Sequence, residues 1–388
     1  MPTHTLHFRL YSTVASLPEG WDNLAQSNIF LSTAYLAVLE QSAPENLTPH
    51  FIGLFKGNEL CGIALAQYIN LNGVNTLGQR EKGFCVKEYL FKKFSSQVLV
   101  LGNNMLTGQN AYLLSKGTNE VLALAQFEKA LHALKKQYRK KCVYINLITI
   151  KDFNESEFPD FDAAGYTGYY KFCTQPNMIF SRRPYWENMD DYLADLGTKY
   201  RTQYNRARKK ADGIEKKQLS CEEIKSYSTT IQELYLTVAG NASFNTFHLP
   251  EDHFYTFKKL LGGNFRFYGY FLEGKLVGFN TLIKNGADMD TYFLGYDASM
   301  QKEKMLYLNM LYDMATYGIN KQFSHVIYGR SAMEIKSSVG AQPENVYGLI
   351  KHTTPIINRS MEWLFNYFDP KVQWNERSPF KVTEAVTV

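Results

Sequence analysis

Residues 51–62, FIGLFKGNELCG, and residues 267–278, FYGYFLEGKLVG, align without a gap. Phe51/Phe267, Gly53/Gly269, Phe55/Phe271, Leu60/Leu276 and Gly62/Gly278 match at one offset of 216 positions. Such a repeat constrains architecture more than any single element, because two copies of one supersecondary unit require two similar cores. Each copy predicts a β-hairpin. Aromatic and β-branched residues flank short polar turns, Lys56–Glu59 and Glu273–Lys275, where Gly57 and Gly274 supply positive φ.

The order of elements after each hairpin repeats too. In the first copy come a strand at Val98–Leu101, a helix near Asn119–Tyr138 with Val121, Leu124, Leu131, Leu134 and Tyr138 on one stripe, and a strand at Val143–Leu147. In the second come Thr291–Tyr296, a helix near Glu303–Tyr317 with Met305, Leu308, Leu311, Tyr312 and Ala315 inward and Gly318 as its stop, and Phe323–Tyr328. Helical sequence precedes each hairpin, at Trp21–Glu40 and Cys221–Leu261. The expected fold class is α/β (α+β): two mixed-sheet units as tandem halves, residues 1–180 and 181–388. A length of 388 residues suits two domains or three.

Between the halves, Leu193, Leu196, Tyr200, Tyr204, Ala207 and Ala211 recur at helical spacing. From Lys199 to Lys210 this segment carries Lys199, Arg201, Arg206, Arg208, Lys209 and Lys210 and no acid. Like-charge repulsion weakens such a helix unless an anion compensates; the alternative is a solvated face. A second basic run, Lys135–Lys141, ends the first-half helix, where cations suit the macrodipole. Lys+Arg 42 against Asp+Glu 37 is too even to identify an anionic partner by itself. The 27 Tyr and 26 Phe either line a large cavity or fill cores. Cys61, Cys85, Cys142, Cys173 and Cys221 form no CxxC pair, so they are expected to be buried thiols of a reducing cytosol. No export signal and no apolar run of ~18 residues is present, so a cytoplasmic location is expected, with a membrane-peripheral one as its variant.

The doubled order of helices, hairpin, strand, helix and strand, with KYRTQYNRARKKA opening the second unit and YGRSAMEIKSSVGA closing it, resembles the tandem GNAT proteins. Within them it is most similar to the Fem-like, peptidoglycan-biosynthesis-like acyltransferases. The resemblance covers residues 20–350 and is most specific in 199–211, 267–297 and 328–341. It implies two GNAT domains and acyl transfer to an amine, with acyl-CoA as co-substrate and no permanently bound cofactor. The amine belongs to a small molecule, an amino sugar or a lipid. Fem-type transfer from aminoacyl-tRNA to a cell-wall precursor is the alternative, and a GNAT-derived binding protein that has lost catalysis is another. Expected partners are the donor and the amine acceptor, with tRNA or an anionic membrane surface reached through the basic helix.

The resemblance further implies that the donor lies where Thr291–Tyr296 and Phe323–Tyr328 splay apart, with Asp297–Lys304 facing its phosphates. Gln301, Lys302 and Lys304 would then contact the donor, as would Arg330. Gln301-Lys302-Glu303-Lys304-Met305-Leu306 keeps the Gln of a GNAT phosphate loop but lacks its small residues. The first half has glycines at the matching place, Gly102 to Gly108, so a donor site there is a further option. Acyl transfer needs a neutral amine, a polarised carbonyl and a protonated leaving group, with no covalent nucleophile. The catalytic candidates are Glu334, Lys336, Tyr296, Asp297 and Tyr328, with Tyr296 as acid and Asp297 as base. Arg330 and Glu334 are i,i+4 and so either a surface ion pair or part of the site. Asn245 and His248 are candidate acceptor contacts, with Arg206 and Lys209 binding substrate or donor charge. His248 and His253 lack HExxH spacing, so no metal is expected, and no GxSxG, GxGxxG or Walker loop occurs.

Overall fold

The computed structural model describes residues 5–72, 95–173, 175–241, 245–368 and 373–381. Its strands are β1 (Leu6–Tyr11), β2 (Leu47–Lys56), β3 (Glu59–Asn70), β4 (Gln97–Leu101), β5 (Tyr112–Leu114), β6 (Leu147–Phe153), β7 (Tyr170–Cys173) and β8 (Asn177–Ser181). They continue with β9 (Ile214–Gln218), β10 (Phe265–Leu272), β11 (Lys275–Asn285), β12 (Asp288–Tyr296), β13 (His325–Gly329), β14 (Gln342–Glu344) and β15 (Tyr347–His352). Two mixed sheets result, ordered β1-β2-β3-β4-β6-β15-β7, with β5 on β3, and β14-β8-β13-β12-β11-β10-β9.

The repeat holds at the level of register. In one hairpin Leu54 faces Gly62 and Phe55 faces Leu60, leaving Cys61 bulged; in the other Tyr270 faces Gly278 and Phe271 faces Leu276, leaving Val277 bulged. The matched glycines share one reason. A Cβ on Gly53 would meet the Phe55 ring at 3.0 Å and Leu60 at 3.2 Å; on Gly269 it would meet Phe271 at 2.9 Å and Leu276 at 3.0 Å. The bulge turns the downstream Phe back over the strand, and only a residue without a side chain fits beneath it.

Each sheet has its own core. The helix Glu120–Lys140 lays Leu124, Leu131, Leu134 and Tyr138 on the first sheet, and Leu306–Asn320 lays Leu308, Leu311, Tyr312 and Ala315 on the second. At about 2 kcal/mol per fully buried large apolar side chain, these stripes outweigh helix propensity.

A single cut at 180/181 does not describe the two compact units. One comprises residues 1–174, 239–262 and 345–371, the other 175–238, 263–344 and 372–388. The sixth strand of the first sheet is β15, from late in the chain, and the second strand of the other sheet is β8, from before the basic helix. The helix His253–Leu261 packs with Thr33–Ser42 in the first unit; there His253 is buried, its Nδ1 2.6 Å from the Ser42 carbonyl, and burial pulls its pKa down to about 4.

Several expected elements differ. The basic segment is two helices, Met189–Asp195 and Thr198–Lys210, because Leu196 turns extended and the Arg201 guanidinium donates to the freed carbonyls of Leu193, Ala194 and Leu196. The helix expected at Glu303–Tyr317 is Ala298–Lys304 followed by Leu306–Asn320, broken at Met305 with φ 48°. Gly318 does not stop that helix; it admits Val326, whose methyl would lie 2.5 Å from a Cβ. The strand expected at Val143–Leu147 begins at Leu147, and that at Phe323–Tyr328 begins at His325. Among the described cysteines, Cys61 alone is a buried thiol; Cys142 is exposed and Cys173 and Cys221 are intermediate, while Cys85 lies outside the described residues.

Candidate functional site

The second unit contains the splayed strands. β12 and β13 run parallel and pair at Asp288/His325, Met289/Val326 and Asp290/Ile327. Thr291 Oγ1 donates to the Ile327 carbonyl (3.0 Å), after which β12 continues to Tyr296 alongside β11 alone. A bulge sets Tyr292 and Phe293 opposite Thr281, so the strand bends away where the ladder ends.

Beyond Tyr296, Asp297 caps the helix Ala298–Lys304, accepting from Ser299 N (2.8 Å) and Ser299 Oγ (2.6 Å), bonds that hold its carboxyl below the usual range. Left-handed Met305 then starts Leu306–Asn320, and Gln301 Oε1 accepts from the Tyr307 amide (2.7 Å). At this helix start lies an open cleft of about 340 Å³, lined by Arg206 and Lys210 of the basic helix, Gln301 and Lys302 of the helix Ala298–Lys304, and Met305, Leu308 and Ile335. Three cations beside a helix N-terminus favour an anion, and the apolar floor favours an alkyl or acyl chain.

The six cations of Lys199–Lys210 divide by role, with Lys199 lying over the Tyr200 ring at 5.4 Å. Arg201 is committed to the backbone carbonyls of Leu193, Ala194 and Leu196. Arg208 pairs with Asp313 (2.7 Å) and lies over the Tyr204 and Tyr312 rings at 5.1 and 5.8 Å. Lys210 reaches the Lys302 carbonyl at 3.5 Å, and Lys304 donates to the Asp212 carbonyl (3.0 Å), away from the cavity lining. Arg206 and Lys209 are exposed and make no hydrogen bond or ion pair among the described residues.

The remaining candidates are spread out. Tyr296 is half-buried, its hydroxyl has no hydrogen-bond partner among the described residues, and burial raises its pKa. Tyr328 is a core residue: its hydroxyl donates to the Leu311 carbonyl (2.8 Å) and burial raises its pKa far above the phenol range. Lys336 is 4% exposed, and its Nζ donates to the carbonyls of Tyr328 (2.8 Å), Gly329 (3.1 Å) and Arg330 (2.7 Å). It closes a turn in which Gly329, Ser331 and Ala332 all have positive φ. Burial drives its pKa to about 7, but three carbonyls require three N–H donors, and the ammonium alone has them. Arg330 and Glu334 do not pair with each other. Arg330 Nε donates to the Gln175 carbonyl (3.1 Å), and Glu334 is held by Arg377. Asn245 and His248 belong to the first unit, where Asn245 Oδ1 accepts from Phe247 N (3.4 Å) and His248 is exposed.

Sequence reasoning missed Lys210, Met305, Leu308 and Ile335 as partners of one cavity, and it missed Asp290. Asp290 is the last ladder residue before the splay, is 6% exposed, and burial raises its pKa to about 7. Burial and the nearby Asp288 outweigh the hydrogen bond from Asn285. Its only sequence signal is an acid amid the apolar residues of MDTYFL.

The glycine-bearing loop of the first unit is internally satisfied. Asn104 N donates to Gln67 Oε1 (2.7 Å), Met105 N to Asn103 Oδ1 (3.0 Å), and Gly108 N to Asp152 Oδ2 (3.2 Å), while Lys151 Nζ lies 2.5 Å from the same carboxylate. Among the described residues no group of three or more His, Cys, Asp and Glu is placed to hold a metal, and no helix is long and apolar enough to cross a membrane.

No family model and no curated protein matches the chain. Among solved structures, the crystal structure of FemX aligns with a TM-score of 0.52 and 11% identity, over 91% of this chain and 98% of FemX. A tandem GNAT protein from the clavulanic acid biosynthesis pathway aligns with a TM-score of 0.49 and 12% identity, over 90% of this chain and 99% of that one. With its duplicated hairpin register and two mixed sheets, the chain has the fold of FemX.

Proposed function

We propose that the protein is an N-acyltransferase that binds a phosphate-bearing acyl donor in its second unit, with acyl-CoA as the leading donor class. The observation that carries this reading is the meeting of Arg206 and Lys210 with Lys302 over the start of Leu306–Asn320, next to the splayed β12 and β13. A GNAT-type loop binds pyrophosphate through closely approached amides; here the Tyr307 amide is taken by Gln301, and side-chain cations supply the positive charge instead. The acceptor amine attacks the thioester carbonyl, the C–N bond forms, and the C–S bond breaks. The thiolate takes a proton from Tyr296, and the proton lost by the new ammonium returns through water to the Tyr296 phenolate, so the tyrosine is restored and the net products are an amide and a thiol. Lys336 serves by fixing the turn after β13.

Aminoacyl-tRNA is the second reading. Lys209, exposed, outside the cavity lining and without a polar partner among the described residues, favours it, because a polyanion would engage cations beyond the cavity.

Calorimetric titration with CoA, 3′,5′-ADP and unacylated tRNA, followed by a thiol-release assay over an amine panel, tests the proposal. The expected result is CoA binding that Arg206→Gln/Lys210→Gln weakens by tenfold or more, at roughly 1.4 kcal/mol or more for the pair of contacts. Binding of tRNA alone moves the assignment to the second reading. Binding of neither ligand, or binding without turnover on any amine, refutes the transferase reading.

A further inference from the structure

The cations of the first unit gather at one end. The run Lys135–Lys141 closes the helix Glu120–Lys140, and no acid occurs between Glu128 and Asp152. Its helix-end position suits the macrodipole but does not explain the exposed apolar residues beside it. Tyr144, 65% exposed, follows the run. The next carbonyl, of Ile145, accepts from Thr353 Oγ1 (2.7 Å), and Thr354 leads into the helix Pro355–Asn358, where Ile356 is 78% exposed.

A second set of contacts joins the same region. Lys351 Nζ donates to the Thr167 carbonyl and Asn358 Nδ2 to the adjacent Gly168 carbonyl, each at 2.8 Å. Lys351 is also near enough to Lys135 and His132 that, with burial, it depresses both pKa values. Next comes Met361–Phe368, anchored by Phe365 against the Tyr170 and Phe172 rings at 5.6 and 4.9 Å, with Trp363 65% exposed. Thus three of the six exposed large hydrophobics among the described residues sit on segments joined to the acid-free cationic run, Tyr144 and Ile356 next to its end and Trp363 on the helix that follows Pro355–Asn358. Acids nearby include the exposed Glu362, the half-buried Glu128, which sits 3.8 Å from His132, and Asp160 and Asp162 of the helix Phe158–Ala163 that packs on Glu120–Lys140.

We propose that this end of the first unit docks on an anionic lipid bilayer, with Lys136, Arg139, Lys140 and Lys141 at the phosphate headgroups and Ile356 and Trp363 in the boundary between headgroups and acyl chains. Cations supply long-range attraction and an exposed indole and aliphatic chain supply insertion, the pairing an interfacial anchor needs. A nucleic acid would use the cations but offers nothing to an isoleucine this exposed. The proposal does not depend on the transferase reading, since vesicle binding is measured without turnover.

The test is co-sedimentation of the full chain with vesicles of phosphatidylglycerol and phosphatidylcholine, against phosphatidylcholine alone. Binding is expected only to the anionic vesicles. At about fivefold per cation near the surface, Lys136→Gln/Arg139→Gln/Lys140→Gln lowers partitioning on the order of a hundredfold. Ile356→Ser/Trp363→Ser lowers it with an unchanged melting temperature. Absence of wild-type binding overturns the proposal, as does wild-type binding by the triple variant or loss only with Arg206→Gln/Lys209→Gln. Binding of tRNA through these residues without vesicle binding overturns it equally.

Discussion

Gly295→Ala tests the splayed site through its backbone. A Cβ at this position in β12 would lie 2.5 Å from the Phe279 ring, 2.6 Å from the Leu234 carbonyl carbon and 2.6 Å from Tyr235 N, where ordinary contact starts at 3.4 Å. Two of the three obstacles are backbone of the helix Ser228–Ala239, which cannot swing aside as a side chain can. Overpacking costs typically about 1–3 kcal/mol, and rigid neighbours put this case near the top. Replacing Gly by Ala within an element returns roughly 0.5–1 kcal/mol of backbone entropy, so the clash wins by about 2 kcal/mol. For a unit of this size that is a melting shift of roughly 4–8 °C. Gly263→Ala is the control, since nothing lies within 4 Å of its Cβ position and its φ is not positive. The clash faces away from Leu306–Asn320, so donor-phosphate affinity should hold while turnover falls. A Gly295→Ala protein that melts with the Gly263→Ala control refutes the close approach of helix and strand.

Gly53→Ala and Gly269→Ala should each cost about 1 kcal/mol in urea unfolding, because both meet the same Phe and Leu; opposite signs would break the equivalence of the hairpins. Asp290 has a folded pKa raised to about 7 from the ordinary 3.8, so the folded state binds the extra proton. Its contribution is fully present below pH 4 and is lost as pH rises through 7, on the order of 4 kcal/mol across that window. Asp290→Asn should flatten that fall, and an unchanged pH profile of unfolding would reject the buried carboxyl. Lys336→Met strands three carbonyls and should lower stability by about 3 kcal/mol, at about 1 kcal/mol net per bond. Lost turnover at an unchanged melting temperature would instead return Lys336 to chemistry.

The hairpin repeat was legible because turn chemistry and a tight glycine are local: Gly53 and Gly269 answer to residues two and seven positions on. The cationic cleft was half legible, since Arg206, Gln301 and Lys302 belong to two conspicuous segments. Lys210 and Ile335 join them only through a helix crossing that periodicity does not encode. Nor does a strand's pattern state which sheet it enters, so the places of β8 and β15 were hidden. The Arg330–Glu334 spacing suggested a pair, and Arg377, 43 positions from Glu334, took the carboxylate instead. Tyr328 looked reactive at a strand end, but its hydroxyl reaches inward to Leu311.

The two units differ in what surrounds their equivalent strand ends among the described residues. In the first, β4 and β6 stay paired over four residues, Val98/Leu147 to Leu101/Ile150, so the strands do not part as early as β12 and β13. After β4, amides that could meet a phosphate are occupied by Gln67, Asn103 and Asp152. Asp152, on β6, is 3% exposed at φ 60°, and its carboxylate accepts from Gly108 N of the loop while pairing with Lys151. A second anion there would meet repulsion in a medium where charges are poorly screened. In the second unit the cavity lining holds Arg206, Lys210 and Lys302 and no acid. The glycines that make the first loop look like a phosphate cradle are therefore the weaker signal. What separates the units is the charge beside these elements: an Asp152–Lys151 pair in the first, and Arg206, Lys210 and Lys302 in the second.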